Sequence, residues 1–264
     1  MTSVRTQIAE VTALQDYVFT TGEIAPLSTV AVYPEIGGKV VRLNVEVGSK
    51  VKKGDVLMKV DPSSPGMEYA LNSVTAPISG TIMSLPARQG TTVTVNASVA
   101  TIGDVSNLEL TANVPERYVS SLRNGLKADV TLEAYPEDVF KAHIIRQAPA
   151  LDTASRTKEV TLTFDSPDAR INAGMFAKVK LFTDVYDGSV TIPSSAVIER
   201  SGKKYVFVLN GDGQTVAERE VTTGKSVDNV VQLLTGVDAG DRMVVEGMRV
   251  LGNGSTVRDI GADR

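Results

Sequence analysis

The chain has no cysteine in its 264 residues. That excludes disulfides, thiolate metal sites and cysteine nucleophiles together, and it suits an oxidising compartment without requiring one. An excess of positive charge is also missing. The 27 Lys and Arg are interleaved with 31 Asp and Glu for a net charge of −4, so there is no clustered basic surface of the kind phosphate backbones select, and a general nucleic-acid binder is excluded. No run approaches the about 18 apolar residues needed to span a bilayer, and the opening residues Met1 to Val11 lack the apolar centre of a signal peptide. The expectation from these residues is a cytoplasmic protein or one whose targeting segment is not part of this sequence. A single histidine, His143, stands in FKAHII. Alternation puts it with Lys141 on the face away from Phe140 and Ala142, and a lone imidazole builds neither a metal site nor a triad.

Glycine, in contrast, is abundant. The 22 glycines recur in turn contexts, which favours several small β units over one large core. Two stretches repeat each other: VVRLNVEVGSKVKKGDVLMKVD from Val40 to Asp61 and IMSLPARQGTTVTVNASVATIG from Ile82 to Gly103. Gly38 and Gly80, Gly48 and Gly90, Leu57 and Val99, and Val60 and Ile102 all keep a constant offset of 42. A repeat of short β-rich units signals two half-motifs that fold as a pseudo-symmetric pair, because one half alone cannot bury its apolar face.

Elsewhere the hydrophobic period is two. It predicts short strands over Val4 to Val11, Tyr17 to Ile24, Leu108 to Val114, Ala128 to Leu132, Val160 to Phe164, Ala177 to Phe182, Tyr205 to Leu209, Val230 to Leu234 and Met243 to Val245. Turns are expected at Ser201-Gly202, at Asn210-Gly211 with Asp212-Gly213, and at Ala239-Gly240-Asp241. One helix is expected, Pro115 to Asn124, with Pro at its start, Glu116 in the first turn, Val119 and Leu122 on one face and Gly125 at its end. The two N-terminal strands have no partners among themselves. They must pair downstream, so the chain runs out through its blocks and returns, leaving each outer block built from both ends.

These residues carry a resemblance. PEIGGKVVRLNVEVGSKVKKGDVLMKVD and VTAPISGTIMSLPARQGTTV resemble the two halves of a lipoyl or biotinyl-like β sandwich. In that order they are followed by LTANVPERYVSSLRNGLKADV, Ser155-Arg156-Thr157, INAGMFAKVKL, VTIPSSAVIERSGKKYVFVL and GVDAGDRMVVEGMRVLGNGSTV. Together the set is similar to the periplasmic adaptor proteins, or membrane fusion proteins, of tripartite efflux pumps, the HlyD/RND-type adaptors. The resemblance implies a mostly β, linear multidomain protein: a lipoyl-like sandwich over 29–103, an antiparallel β barrel with one short helix over 15–28 plus 104–187, and a membrane-proximal β domain over 1–14 plus 188–264. It further implies a periplasmic, non-enzymatic protein associated with or anchored to the inner membrane by a segment absent here. Such proteins form a homo-oligomeric ring between an inner-membrane transporter, of the resistance-nodulation-division (RND) type by the spread of motifs or alternatively of the ABC type, and an outer-membrane channel.

The chain departs from that family in one place. Most adaptors carry a long helical hairpin between the half-motifs, whereas here only PSSPGMEYALNS joins Asp61 to Val74, too short for two antiparallel helices of about 10 residues each. The tip, Pro65, Gly66, Met67, Glu68 and Tyr69, then becomes the expected channel-docking surface, with Met67 and Tyr69 its largest members. A lipoyl or biotinyl carrier of a multienzyme complex is the competing class. It needs a lysine at this tip, but the position is occupied by about Tyr69, no lysine lies between Lys59 and Lys127, and Lys59 sits inside a strand. Arg88 and Gln89 match a turn that faces the ring's channel in some relatives. Arg156, with five donors, is expected to clamp the turn LDTASRT. Catalytic, cofactor and metal residues are expected to be absent: Asp152, Asp165 and Asp168 flank turns with no nucleophile nearby, Ser194 and Ser195 lack a G-x-S-x-G frame, and Met58, Met67, Met83, Met175, Met243 and Met248 form no M-x-x-M cluster.

The repeat makes a first prediction. A fragment of one half-motif, 29–61, should give the circular dichroism of an unfolded chain, while 29–103 should melt cooperatively; a cooperative β transition from the half alone would contradict the pairing argument.

Overall fold

The structure, a computed structural model, describes residues 1–63, 66–67 and 69–261. The chain divides into two compact units, Met1–Tyr17 with Phe182–Arg264, and Val18–Leu181. Glu68 and Pro65 of the expected tip lie outside the described residues.

Within the Val18–Leu181 unit the half-motifs build two four-stranded sheets. One runs in the order Thr92–Val93, Gly38–Leu43, Val56–Asp61, Asn72–Thr75, and the other Thr29–Val32, Ala100–Gly103, Gly80–Ser84, Lys50–Val51. The two inner strands of each sheet come from one half and both edge strands come from the other. Neither half can therefore complete a sheet by itself, which is the physical content of the repeat. Backbone bonds are exchanged with the same symmetry. Gly48 N–H donates to Ile82 O at 2.8 Å and Gly90 N–H to Val40 O at 2.7 Å, while Val40 N–H reaches Thr91 O and Ile82 N–H reaches Ser49 O, each at 2.9 Å. Between the sheets Val40, Leu57, Met58, Val60 and Ile102 are fully buried.

Gly38 and Gly80 start the equivalent inner strands, and both are glycine for lack of room. A Cβ on Gly80 would sit 2.7 Å from Gly103 O, and one on Gly38 would overlap Asp61 O, the residue equivalent to Gly103. Gly48 and Gly90 meet a different requirement, since both hold φ near +90° in open space.

A closed barrel follows, in the order Leu108–Pro115, Thr157–Phe164, Tyr135–Gln147, Lys127–Leu132, Phe176–Tyr186, Leu14–Pro26. Alternation sends Leu110, Ala112 and Val114, Val160 and Leu162, Ala142 and Ile144, Ala128, Val130 and Leu132, and Val179 and Leu181 inward. Alanine recurs among them because six strands enclose little interior volume. The strand Leu14–Pro26 closes the ring by pairing Leu110 with Ile24, so the expectation that an N-terminal strand finds its partners far downstream holds.

The expected helix is shorter and tighter than its sequence suggested. Pro115 still belongs to a strand, paired with Thr157, and only Glu116–Ser121 turn, as a 3-10 helix whose last bond runs from Leu122 N–H to Val119 O. Leu122 is already extended. A segment of six residues between fixed strands cannot recover the cost of nucleating an α-helix, and the side chains that pack on the barrel core are Tyr118 and Leu122 rather than Val119 and Leu122.

In the Met1–Tyr17 and Phe182–Arg264 unit one sheet orders Glu10–Val11, Val190–Pro193, Val230–Thr235, Val216–Val227, Lys203–Leu209, Arg242–Glu246, Thr2–Ile8 and Val257–Asp259, with Ile198–Arg200 added as a hairpin on Lys203–Leu209. The first strand lies between two C-terminal ones, antiparallel to Arg242–Glu246 and parallel to Val257–Asp259. The single strand expected over Val4 to Val11 breaks at buried Ala9, whose N–H donates to Asp241 O and whose carbonyl accepts from Gly240 N–H. The core gathers Val206, Phe207, Val208, Val216, Met243, Val244 and Val257.

The two crowded glycines are testable. Gly38→Ala and Gly80→Ala should each cost about 1–3 kcal/mol of unfolding free energy by overpacking. Gly211→Ala, in open space at an ordinary φ, should stay within about 0.5 kcal/mol of the parent. Denaturant titration decides, and a neutral Gly38→Ala would contradict the packing account.

Candidate functional site

The connection between the half-motifs begins at Asp61. Its Oδ1 accepts from Ser63 N–H at 2.9 Å, and hydrogen bonding from Ser63, side chain and backbone, holds the Asp61 carboxyl below the usual carboxylate range. Ser63 Oγ then accepts from Tyr69 N–H at 3.0 Å, drawing the far side of the loop back to its start. Gly66 turns the chain with φ 85°. Across the loop the Tyr69 hydroxyl donates to the Met67 thioether at 3.7 Å. The two side chains singled out in the sequence thus meet, and they remain 57% and 56% exposed, an apolar surface formed by a short, locally bonded loop.

Register adds residues that the sequence did not point to. Val93 pairs with Gly38, Lys39 with Asp61 and Val60 with Asn72, so the loops carrying Ile36, Val95 and Leu71 leave the same end of the sheet as the connection itself. All three are exposed. Their signal in the sequence was an apolar residue beside a turn, which is indistinguishable from an ordinary surface position until the pairing is known. The Asn72 Oδ1 at the base of the loop is buried without a partner among the described residues. Lys59 lies within Val56–Asp61, paired with Arg42 on one side and Ser73 on the other, so its amine belongs to the sheet and not to the connection.

Arg88 and Gln89 occupy the turn before Gly90. The amide Nε2 of Gln89 donates to Val41 O at 3.0 Å, and Thr91 Oγ1 donates to Arg88 O at 2.7 Å, so the backbone is fixed while Arg88 points outward. The turn at the 42-residue offset, Glu46-Val47-Gly48, is closed in the same way, with Ser49 Oγ accepting from Glu46 N–H at 2.9 Å. Equivalent positions in one fold therefore present opposite charges, Glu46 and Arg88, and both side chains are exposed.

Arg156 is placed differently from its expected role. Its φ of 53° is left-handed, its carbonyl accepts from Glu116 N–H at 3.0 Å, and its side chain is exposed without a hydrogen-bond or ion-pair partner among the described residues. The turn is tied instead by Asp152, whose Oδ1 accepts from Ala154 N–H at 2.8 Å and Ser155 N–H at 2.9 Å. These bonds depress the Asp152 carboxyl, the Ser155 backbone bond most and the Ala154 backbone bond next. A short carboxylate one turn back reaches the free N–H groups that a long guanidinium, being a donor only, cannot satisfy.

His143 is half-buried, and its Nδ1 lies 2.6 Å from Asp165 Oδ1. The pair arises from register, since Asp165 N–H bonds to Lys141 O. Met58, Met243 and Met248 are core side chains, the first in the sandwich and the others in the terminal unit. Among the described residues no three His, Asp or Glu side chains converge as a metal site, and no helix is long and apolar enough to cross a membrane.

Comparison with known proteins follows the same division. Residues 28–104 match the model for the RND membrane fusion protein barrel-sandwich hybrid domain, residues 109–184 the CusB-like β-barrel domain, and residues 189–259 the YknX C-terminal permuted SH3-like domain. Among curated proteins, the cation efflux system protein CusB of Escherichia coli O157:H7 is 28% identical over 173 residues, covering 66% of this chain and 42% of that one. The multidrug resistance protein MdtA of Pectobacterium atrosepticum is 24% identical over 218 residues, covering 78% and 53%. The chain thus spans about half the length of such relatives. The crystal structure of MacA from Actinobacillus actinomycetemcomitans shares the fold with a TM-score of 0.75 at 19% identity, covering 90% of this chain and 98% of that one. With the sandwich, barrel and C-terminal modules matched in this order, the chain belongs to the RND-type periplasmic adaptor, or membrane fusion protein, family.

Proposed function

We propose that this chain is the periplasmic adaptor of a tripartite efflux pump, associated with the inner membrane, and that it links a transporter of the RND type to an outer-membrane channel as a homo-oligomeric ring. Its work is mechanical coupling without a reaction or a cofactor of its own. In this reading the modules are 29–103, then 15–28 with 104–187, then 1–14 with 188–264. The names of CusB, a cation efflux system protein, and MdtA, a multidrug resistance protein, support the pump.

The observation that carries the docking mode is the directly closed sandwich. Strand Val56–Asp61 passes to strand Asn72–Thr75 with no helix among the described residues between them. Met67 and Tyr69 form the exposed apolar contact at that closure. The channel therefore docks on this end of the sandwich, with Gly66 shaping the loop and its neighbours Pro65 and Glu68 completing it in sequence, and Arg88 and Gln89 line the ring's passage. A carrier function is disfavoured by Tyr69 standing where an acylated lysine would be needed.

Replacing both apolar side chains by carboxylates tests the docking surface. Met67→Asp with Tyr69→Asp touches no core residue, so the purified protein should keep its melting temperature within a few degrees while drug resistance in cells falls to that of a deletion strain. Full resistance from a stably expressed double variant would defeat the assignment.

A further inference from the structure

Within the Val18–Leu181 unit a cleft of about 880 Å³ opens where the chain leaves the sandwich and enters the barrel strand Leu108–Pro115, within the range of small-molecule sites. Its wall includes Leu27, Leu108, Phe164 and Ile171. Leu108 and Phe164 are partly buried against the barrel core and Ile171 belongs to that core, so the wall is a rigid extension of it, while Leu27 is exposed at the rim.

The charges on this wall have one sign. Among the described residues Glu109 and Asp168 are its charged members, and neither lysine nor arginine lines it. Both carboxylates are paired with arginines that lie outside the lining, and Arg170 is shared between Asp168 and Asp138. Asp168 is gripped by Arg170 through Nε and Nη2, which keeps its carboxyl low, at about 2, and ionised. Glu109 is held differently. Its side chain is only 15% exposed, and it accepts one 2.9 Å bond from Arg146 Nη2, whose own side chain is 61% exposed. An acid only 15% exposed, whose one charged contact among the described residues is a solvent-held arginine, favours a cation and has a replaceable partner.

We propose that this cleft binds an amphiphilic monocation, its apolar body against Leu27, Leu108 and Phe164 and its charge on Glu109 in place of Arg146. An anion of the same shape would face two carboxylates, and a small hydrated cation would gain nothing from the apolar wall. The assignment goes beyond the coupling function, because it gives the barrel a ligand of its own, and it stands independently of where the channel docks.

Isothermal titration of the full chain with tetraphenylphosphonium tests it, with tetraphenylborate as the anion of equal shape. The phosphonium should bind saturably at one site and the borate at least about tenfold more weakly, roughly the effect of one charge contact in a partly exposed site. Glu109→Gln should weaken the phosphonium about tenfold, whereas Arg146→Ala should tighten it by freeing the carboxylate, a change opposite in sign to any loss of fold. Equal affinity for both ions, no saturable heat with the phosphonium, or an Arg146→Ala variant that keeps its circular dichroism and binds no more tightly would overturn the proposal.

Discussion

The exchange of edge strands between two halves of one repeat is the constraint from which the rest of this molecule follows. Each four-stranded sheet takes its middle from one half and its edges from the other, and Gly48 and Gly90 tie the halves with matched bonds to Ile82 and Val40. Because each half supplies the middle of one sheet and the edges of the other, weakening either half disrupts both sheets. The same constraint explains Gly38 and Gly80, where the backbone of the neighbouring strand occupies the space a side chain would need. It also decides where divergence is affordable. Turns and connections outside the exchanged pairs can differ, and there the halves do differ: Glu46 against Arg88, and Lys52 and Lys53 against Thr94 and Val95.

Much of this was legible in the sequence because it was written in spacing. A fixed offset between glycines and apolar positions is insensitive to tertiary detail, and an N-terminal strand without a neighbour has to find one elsewhere, as Thr2–Ile8 and Leu14–Pro26 do. The misread features depend on what surrounds them. Pro115 and Glu116 look like a helix start, yet Pro115 is committed to a strand and too few residues follow to form an α-helix. Arg156 has the donors of a clamp, but the turn's N–H groups at Ala154 and Ser155 needed an acceptor, and Asp152 supplies it. The hairpin at Asp228-Asn229, both at positive φ, carries no glycine and was not among the expected turns, although Asn and Asp tolerate that conformation. The His143–Asp165 pair and the neighbours of Met67 at the sheet end needed register, which no local pattern supplies.

The functional reading joins these features through surfaces. An adaptor works by presenting faces to several partners at once, and this fold separates them: an apolar loop closing the sandwich, an outward Arg88 on a fixed turn, and a barrel with its own cleft. Only a short connection joins the half-motifs, so the docking surface proposed above is small, with local bonds running from Asp61 through Ser63 to Tyr69.

The most direct measurement is site-specific photo-crosslinking in cells from a probe at position 69, with mass spectrometry of the captured partner. The account predicts capture of an outer-membrane channel protein. Capture of a soluble enzyme, or only of neighbouring copies of this chain, would contradict it.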